Sequence, residues 1–340
     1  MGLLYRNRKS LLLIVLSFML ILVFLFQHSF LSYKNSITIF HAGSLTSVIE
    51  DLSLIMKNNY NIEILNEPSG SIDAIRKITD LDKIADIVMV SDYKLIPNMM
   101  SSKADWSLIF ATNEIVIVFT EKSKYSNEIN SENWLKILLK PDVRIGFSDP
   151  NKDPCGYRSL MVLGLASIYY NNEGLLKMLK KHAEIKYILN ESGIFFDASE
   201  GVNPDSLKIF IRSKEVDLLA LIETGVIDYA FEYKNIAISK KFKYVELPKE
   251  INLAEQSLDD FYSKVFVTII GEKGSKEVLK GSFISYGLTI PKNALHKDNA
   301  KKFIELLISN EGRKILLENG FKPLETLIVI GEAPEWLKRS

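Results

Sequence analysis

The chain has 340 residues, of which 47% are hydrophobic and 25% charged, and its 42 basic residues balance its 42 acidic residues. That length exceeds what one hydrophobic core usually supports, so we expect two lobes. The basic residues form no stripe, and the chain after residue 35 has 38 basic against 42 acidic residues, which argues against a nucleic-acid partner.

The first 33 residues have the composition of an export signal. Three basic residues between positions 6 and 9 precede Leu11–Phe26, a run of sixteen residues in which Ser17 is the only polar side chain. A basic segment followed by an apolar one is typical of secretory signals. The run is slightly long for a cleaved peptide and slightly short for a membrane span of about 20 residues, so a cleaved signal and an uncleaved anchor both stay open. In either case we expect the rest of the chain to be extracytoplasmic, at the cell surface or in a pseudoperiplasm.

Strands and helices alternate from residue 36 onward. Strands are predicted at 36–41, 61–66 and 86–91, and helices at 46–58, 72–80 and 93–100. This alternation is typical of an α/β fold with a parallel sheet covered by helices, whose ligands bind beyond the carboxyl ends of the strands. Three loops fall at that edge: His41–Ser44, Glu67–Ser71 and Ser91–Lys94.

Two of these loops have the composition of an anion-binding turn. Gly43 permits a tight turn before Ser44, and Gly70 lies between Ser69 and Ser71. The unpaired N–H groups in the first turn of a helix favour negative charge by roughly 0.3–1 kcal/mol. An ordinary helix-capping role for Ser44 stays open, but two such loops on neighbouring strands can converge on one anion.

The second half of the chain continues the alternation. The strand 114–119 is predicted to cross into a second lobe, and the β-rich stretches 265–271 and 286–290 indicate the return crossing. Between them we expect a helix at 134–139, a strand at 143–148, a turn-rich loop at 149–158 that opens a helix to Tyr170, an irregular segment at 187–206, a helix at 215–223, and strands at 226–231 and 244–247. Helices at 298–309 and 311–318 close the first lobe.

The sequence contains no phosphate-binding, dinucleotide-binding, serine-hydrolase or zinc-protease motif. Cys155 is the only cysteine and the four histidines have no ligand spacing, so we expect neither a disulfide, nor a resident metal, nor a cofactor. Two enzymatic possibilities stay open: Cys155 as a nucleophile, and Asp153 with Glu215 as an acid–base pair. Ordinary structural roles explain the same residues.

Several motifs together resemble the solute-binding proteins of ABC importers for molybdate and tungstate, and most of all their archaeal branch. They are HAGSL at 41–45, EPSGS at 67–71, DPCGYRS at 153–159 and KEVDLLALIETGVIDYAFEYKN at 214–235. The resemblance covers roughly residues 36–325. It implies a two-lobed periplasmic-binding-protein fold of type II, in which each lobe has a mixed, mostly parallel sheet flanked by helices and the ligand lies in the cleft. We expect lobe I to comprise 36–116 and 288–330, and lobe II to comprise 117–287.

The resemblance also implies the ligands of the oxyanion. These are Ser44, Ser71, the backbone N–H of Cys155, the backbone N–H of Glu215, and Tyr233. Ser71 keeps the family spacing to the basic residue Arg76, whereas Ser69 is the rival by local motif. Cys155 departs from the family, which has a smaller residue there.

In the archaeal branch an aspartate and a glutamate complete the coordination of the metal atom of the oxyanion. Asp153 and Glu215 stand at those positions, and the nearby Asp149 is the residue with which Asp153 could be confused. The implied protein is a monomeric, non-enzymatic receptor that delivers tungstate or molybdate to a membrane permease. A sulfate or phosphate receptor is the alternative, and a membrane-anchored hydrolase using Asp153, Glu215 or Cys155 is a more distant one.

Overall fold

The computed structural model describes residues 18–19, 35–271 and 274–338. The predicted export signal therefore lies almost entirely outside the described residues. Within the described part of the chain, no helix combines the length and the apolar composition needed to cross a membrane.

Fifteen strands are found in the described ranges. They are β1 Ser36–Ala42, β2 Glu63–Ser69, β3 Ile87–Val90, β4 Trp106–Thr112, β5 Ile115–Phe119, β6 Ile145–Ser148, β7 Lys186–Asn190, β8 Gly193–Asp197, β9 Ile209–Arg212, β10 Tyr229–Tyr233, β11 Lys243–Glu246, β12 Val265–Ile270, β13 Lys276–Lys280, β14 Ser285–Thr289 and β15 Lys322–Gly331.

After residue 35, the described part of the chain has twelve α-helices and three short 3-10 helices with assigned bounds. The α-helices are α1 Thr46–Tyr60, α2 Ser71–Thr79, α3 Leu95–Met99, α4 Trp134–Leu138, α5 Pro154–Tyr169, α6 Gly174–Ala183, α7 Leu219–Glu223, α8 Lys234–Ser239, α9 Asp259–Tyr262, α10 Lys297–Ile308, α11 Asn310–Glu318 and α12 Glu335–Lys338. The 3-10 helices are Gly43–Leu45, Glu215–Leu218 and Gln256–Leu258.

The strands form three sheets. The first has the order β15-β4-β14-β3-β1-β2, the second β11-β5-β10-β6-β9, and the third β13-β12-β8-β7. We call the first sheet with its helices the first lobe, and the second and third sheets with theirs the second lobe. Helix α5 packs on both sheets of the second lobe, against β6 and β12, and so joins them.

The sheets are mixed, as predicted, but parallel pairing is confined to part of each. In the first sheet β1 is parallel to β2 and β3, and in the second β6 is parallel to β9 and β10. The strands beyond them pair antiparallel, because β14 and β5 enter their sheets from the other lobe. The expectation of mostly parallel sheets is therefore wrong, although the parallel strands are the ones whose carboxyl ends form the site.

The prediction that segment 187–206 is irregular is wrong for residues 187–197 and holds for residues 198–206, which form turns and loop. The segment begins with the hairpin of β7 and β8, and Phe195 of β8 stacks on Phe266 of β12 with ring centroids 4.7 Å apart. Gly193 has φ of +136° and its backbone approaches Lys264 O, so a side chain does not fit there. Strand β7 is short and almost wholly exposed, and its apolar residues Ile188 and Leu189 are consecutive, so it shows no apolar–polar alternation from which periodicity could predict this hairpin. Strands β4, β9, β13 and β15 also carry no sequence prediction.

The chain passes between the lobes at two places. It leaves the first sheet at the end of β4 and enters the second with β5, as the apolar run 114–119 predicts, and it returns with β14. The expected lobe boundaries, 116/117 and 287/288, fall within β5 and β14 and stay a prediction. At the facing edges of the two lobes lie the carboxyl ends of the parallel strands, followed by short loops and helix starts.

Candidate functional site

The strand-end loops of the two lobes meet at close range. The N–H of Ile72, in the first turn of α2, donates to the carbonyl of Lys152 in the second lobe at 3.2 Å. A Cβ on Gly70 would lie 2.2 Å from the same carbonyl oxygen, so only glycine permits this approach. A Cβ on Gly43 would lie 3.2 Å from a methyl group of Val216. The loops predicted to hold an anion therefore face the second lobe directly.

All of the predicted site residues are buried at this meeting of the lobes. Each is at most 1% exposed: Ser44, Ser71, Asp153, Cys155, Glu215 and Tyr233. Hydrogen bonds join Asp153 to Cys155 and Glu215, and Ser91 links Ser71 with Tyr233, whereas Ser44 has contacts of its own. The structure thus brings the predicted residues to one place.

Asp153 is held by the starts of two helices. Its side chain caps α5 by accepting from the N–H of Cys155 at 3.2 Å, and its second oxygen accepts from the N–H of Glu215 at 2.8 Å. Pro154 occupies the first position of α5, where its missing N–H costs nothing. The two backbone donors that the resemblance assigns to the oxyanion both point at this carboxylate, which shows that an anion is favoured here.

Glu215 lies beside Asp153 with no compensating partner. Among the described residues, no basic or hydroxyl side chain donates to its carboxyl oxygens, and their polar neighbour is the Asp153 carboxyl. Burial, followed by the charge of Asp153, raises the pKa of Glu215 well above its usual value, and burial also raises the pKa of Asp153. Because two ionised carboxylates in a dry site would repel strongly, the raised pKa keeps the proton on Glu215 and leaves the pair with at most one negative charge.

A third carboxyl lies behind the pair. Glu232 of β10 is fully buried, and its oxygens also lack a donor within the described ranges. Burial and the neighbouring Asp153 raise its pKa well above the usual value. The second lobe therefore brings three buried carboxyl groups together: Asp153, Glu215 and Glu232.

Tyr233 ends β10 and belongs to a network that spans both lobes. Its hydroxyl accepts from Arg158 Nη1 at 2.9 Å and lies 3.3 Å from Ser91 Oγ of the first lobe. Ser71 Oγ accepts from the N–H of Ser91 at 3.1 Å. Arg158 also pairs with Asp92 at 3.4 Å and donates to the carbonyl of Ser91. The predicted hydroxyls of the two lobes are thus linked by Ser91.

Ser44 is held by a separate set of contacts. Its hydroxyl accepts from the hydroxyl of Tyr286 at 3.2 Å, and its carbonyl accepts from Asn235 Nδ2 at 2.8 Å. Asn113, at the crossing between the lobes, donates to Asn235 Oδ1 at 2.6 Å. Burial keeps the pKa of Tyr286 well above its usual value, so the phenol retains the proton that it donates.

The residues considered as rivals lie in different surroundings. Ser69 Oγ has no hydrogen-bond partner among the described residues and is separated from the Ser71–Ser91 contact. Asp149 is partly exposed and accepts from the N–H of Asn151, so Asp153 is the aspartate that meets Glu215. Arg76 does not reach these hydroxyls and instead donates to the carbonyls of Asn151 and Ile270, across the lobes.

Cys155 is a poor nucleophile in this environment. Its thiol lies 3.6 Å from the carbonyl of Phe231, and burial raises its pKa well above the usual value. A thiol that keeps its proton does not react as a thiolate. The described residues also contain no group of three or more histidine, cysteine or carboxylate side chains placed to hold a resident metal ion.

Several site residues escape sequence reasoning. Arg158 lies within the DPCGYRS motif and Ser91–Asp92 in the third strand-end loop, so a signal for them exists. No sequence signal marks Tyr286 as a site residue, because its partner Ser44 is 242 positions away in the chain. Glu232 lies inside a hydrophobic strand, where a carboxyl is unexpected.

Comparison with known proteins places this geometry in context. The family model described as bacterial extracellular solute-binding protein matches residues 37–322. The molybdate/tungstate-binding protein WtpA of Thermococcus kodakarensis is 40% identical over 314 residues, covering 90% of this chain and 87% of that protein. The WtpA of Pyrococcus abyssi is 42% identical over 309 residues, covering 88% of each.

Two solved structures share the fold. The periplasmic molybdate-binding protein of Azotobacter vinelandii has a TM-score of 0.56 at 16% identity, covering 84% of this chain and 98% of that chain. The sulfate-binding protein SubI of Mycobacterium tuberculosis has a TM-score of 0.54 at 16% identity, covering 86% and 88%. These likenesses confirm the predicted fold class of a periplasmic binding protein.

Proposed function

Because this chain belongs to the bacterial extracellular solute-binding proteins, we propose that it binds tungstate or molybdate between its two lobes and delivers the oxyanion to the permease of an ABC importer. The observation that carries the proposal is the pair of buried carboxyls, Asp153 and Glu215, with no basic or hydroxyl side chain donating to the oxygens of Glu215 in the described part of the chain.

Two carboxylates beside a dianion are unfavourable for sulfate and phosphate. Sulfur and phosphorus in these anions do not readily take two further oxygen donors, so the repulsion would remain. Molybdenum and tungsten do accept them, and one oxygen from each carboxylate would complete a shell of six. The same pair would then attract one class of oxyanion and repel the other.

The oxo groups would be held by hydroxyl and backbone donors. Ser44 and Ser71 of the first lobe and Tyr233 of the second supply hydroxyls, and the N–H groups of Cys155 and Glu215 supply backbone donors. In the present structure those N–H groups donate to Asp153, so binding would require the carboxylate to shift from them towards the metal atom. Closure of the lobes is the mechanical step.

The proposal includes no chemical turnover. The protein would act as a monomer outside the cytoplasm, with residues 1–33 serving as a cleaved signal or an uncleaved anchor. The raised pKa of Cys155 supports a receptor over a thiol hydrolase.

Calorimetric titration of the purified protein with tungstate, molybdate, sulfate and phosphate tests the proposal. We expect saturable one-to-one binding of tungstate or molybdate without product, and six oxygen neighbours around the metal by X-ray absorption. Tighter binding of sulfate or phosphate, or a four-coordinate metal in the complex, would contradict it.

A further inference from the structure

Arg158 is a buried cation at the junction of the lobes. It lies in α5 of the second lobe and is 2% exposed, yet its partners Ser91 and Asp92 belong to the first lobe. One guanidinium nitrogen donates to the carbonyl of Ser91 and to the hydroxyl of Tyr233, and the other lies 3.4 Å from Asp92 Oδ2. The guanidinium is therefore fixed by both lobes when they are together.

The carboxylate that holds Arg158 is itself held in place. Asp92 Oδ2 accepts from the hydroxyl of Tyr157 at 2.8 Å, and Asp92 Oδ1 accepts from the N–H of Lys94 at 3.0 Å. A buried ion pair is favourable only when its remaining polar atoms are satisfied, and here both carboxylate oxygens of Asp92 accept a hydrogen bond. The rigid fork of an arginine can serve several acceptors at once, which a lysine cannot do.

The contact with Arg158 determines the direction of the Tyr233 hydroxyl. A guanidinium only donates, so the phenol oxygen must accept from it and its own proton must point elsewhere. Burial raises the pKa of Tyr233 well above its usual value, so the proton is retained. The acceptor within reach in the structure is Ser91 Oγ at 3.3 Å, on the side of Ser71.

We propose that Arg158 is a positioning residue for oxyanion capture: held by Asp92 and Ser91 of the first lobe, it occupies the lone pair of Tyr233 and turns that hydroxyl into a donor for the ligand. Tyr233 becomes an oriented donor only after the lobes have closed, because the partners that hold Arg158 lie across the cleft. This inference rests on the proposed function, since it assigns Tyr233 to the oxyanion.

A double-mutant cycle with tungstate as the probe tests the inference. Arg158→Lys keeps the charge beside Asp92 but loses the fork, so we expect a tungstate Kd about 10- to 100-fold higher by calorimetry. In a Tyr233→Phe background there is no hydroxyl to orient, so the same change should raise Kd by less than about threefold. Equal effects in both backgrounds would overturn the inference and leave Arg158 as a structural ion pair.

Arg76→Lys is the matched control. Arg76 also crosses between the lobes, but it donates to the carbonyls of Asn151 and Ile270. The effect of Arg76→Lys on the tungstate Kd should be the same with and without the Tyr233 hydroxyl. If the effect of Arg76→Lys on the tungstate Kd shrank in the Tyr233→Phe background as much as that of Arg158→Lys, any cross-lobe contact would act alike. That result would contradict a specific role for Arg158.

A second variant serves if Arg158→Lys fails to fold. Asp92→Asn removes the charge that holds Arg158 and preserves the shape of the side chain, and its effect should also shrink in the Tyr233→Phe background. If Asp92→Asn raises the tungstate Kd by the same factor in the wild-type and Tyr233→Phe backgrounds, the inference is overturned. If the wild-type protein does not bind tungstate at all, the proposed function fails, whereas binding with additive variants contradicts this inference alone.

Discussion

At the scale of single residues, the proposed hydroxyl ligands share one arrangement. The oxygens of Ser44, Ser71 and Tyr233 each accept from a protein donor: Tyr286, the N–H of Ser91, and Arg158. A hydroxyl whose oxygen already accepts from the protein can give its proton to a ligand. Such a set of donors suits an oxyanion without protons of its own.

Removing one hydroxyl should weaken binding without unfolding the protein. For Ser44→Ala and Ser71→Ala we expect tungstate affinity to fall by about one to two decades, because a charge-assisted hydrogen bond contributes about 1.5–3 kcal/mol. Calorimetry gives the affinity and a thermal melt without ligand checks the fold. Ser69→Ala is the control and should leave the tungstate affinity nearly unchanged. If Ser69→Ala weakens binding and Ser71→Ala does not, Ser69 is the ligand and the choice of Ser71 is wrong.

Removing both carboxyls should change selectivity. For Asp153→Ala combined with Glu215→Ala, we expect weaker tungstate binding and equal or better sulfate binding, because the repulsion of sulfate disappears with the charges. Titrating the double variant and the wild type with tungstate and with sulfate gives the ratio of the two Kd values for each protein. Unchanged tungstate affinity would rule out the carboxylates as ligands.

At the scale of secondary-structure elements, the site is built from strand ends and helix starts. Strands β1, β2 and β3 end in the loops of the first lobe, and β6 and β10 end beside Asp153 and Tyr233 of the second. Parallel strands place these ends at one edge of each sheet. Glycines let the loops of one lobe touch the backbone of the other.

Gly70→Ala should oppose closure. Its Cβ would lie 2.2 Å from the carbonyl of Lys152, a backbone atom that cannot move aside alone. The clash exists only while the lobes are together, so we expect the melt without ligand to change little and tungstate Kd to rise by about 10-fold or more.

Gly43→Ala provides the graded comparison for this change. Its Cβ would meet a methyl group of Val216 at 3.2 Å, and a side chain can give way, so the loss should be smaller. Wild-type affinity in the Gly70→Ala protein would contradict the importance of this contact for binding.

At the scale of the whole molecule, stability should depend on pH through His41. This residue lies on β1 of the first sheet, between β2 and β3, and is fully buried. Burial lowers its pKa from 6.5 to about 4, against the opposing hydrogen bond to the carbonyl of Ala42. Between these two pH values the unfolded chain binds a proton that the folded protein does not, so stability is lost as the pH falls from 6.5 towards 4.

The His41 contribution can be isolated by urea unfolding at pH 7 and pH 5. The free energy of unfolding of the wild type should fall by about 2 kcal/mol more than that of His41→Gln when the pH is lowered from 7 to 5. The reason is that a histidine at position 41 binds a proton in the unfolded chain but not in the folded protein, whereas a glutamine does not titrate. His182→Gln, which removes a partly exposed histidine paired with Asp205, is the control and should not reduce the acid loss. The same loss in wild type and His41→Gln would contradict the assignment.

What the sequence determined by itself is local or compositional. Alternating apolar runs specify the parallel strands of the first lobe and small residues mark the loops at 43–44 and 69–71, whereas the preference for Ser71 and Asp153 over their neighbours is implied by the family resemblance. These features are readable because each depends on residues a few positions apart. The hairpin of β7 and β8 is missed because the short, exposed β7 has no apolar–polar alternation, and the direction of β14 is missed because pairing depends on a distant strand.

Only the tertiary structure decided how the two halves of the site are joined. The contact of Tyr286 with Ser44 connects residues 242 positions apart, and that of Arg158 with Asp92 crosses from one lobe to the other. The isolation of the Glu215 carboxyl likewise depends on which donors the packed lobes leave out of reach. Chain order constrains none of these, because hydrogen bonding and burial depend on distances in space that arise only when the two lobes pack together.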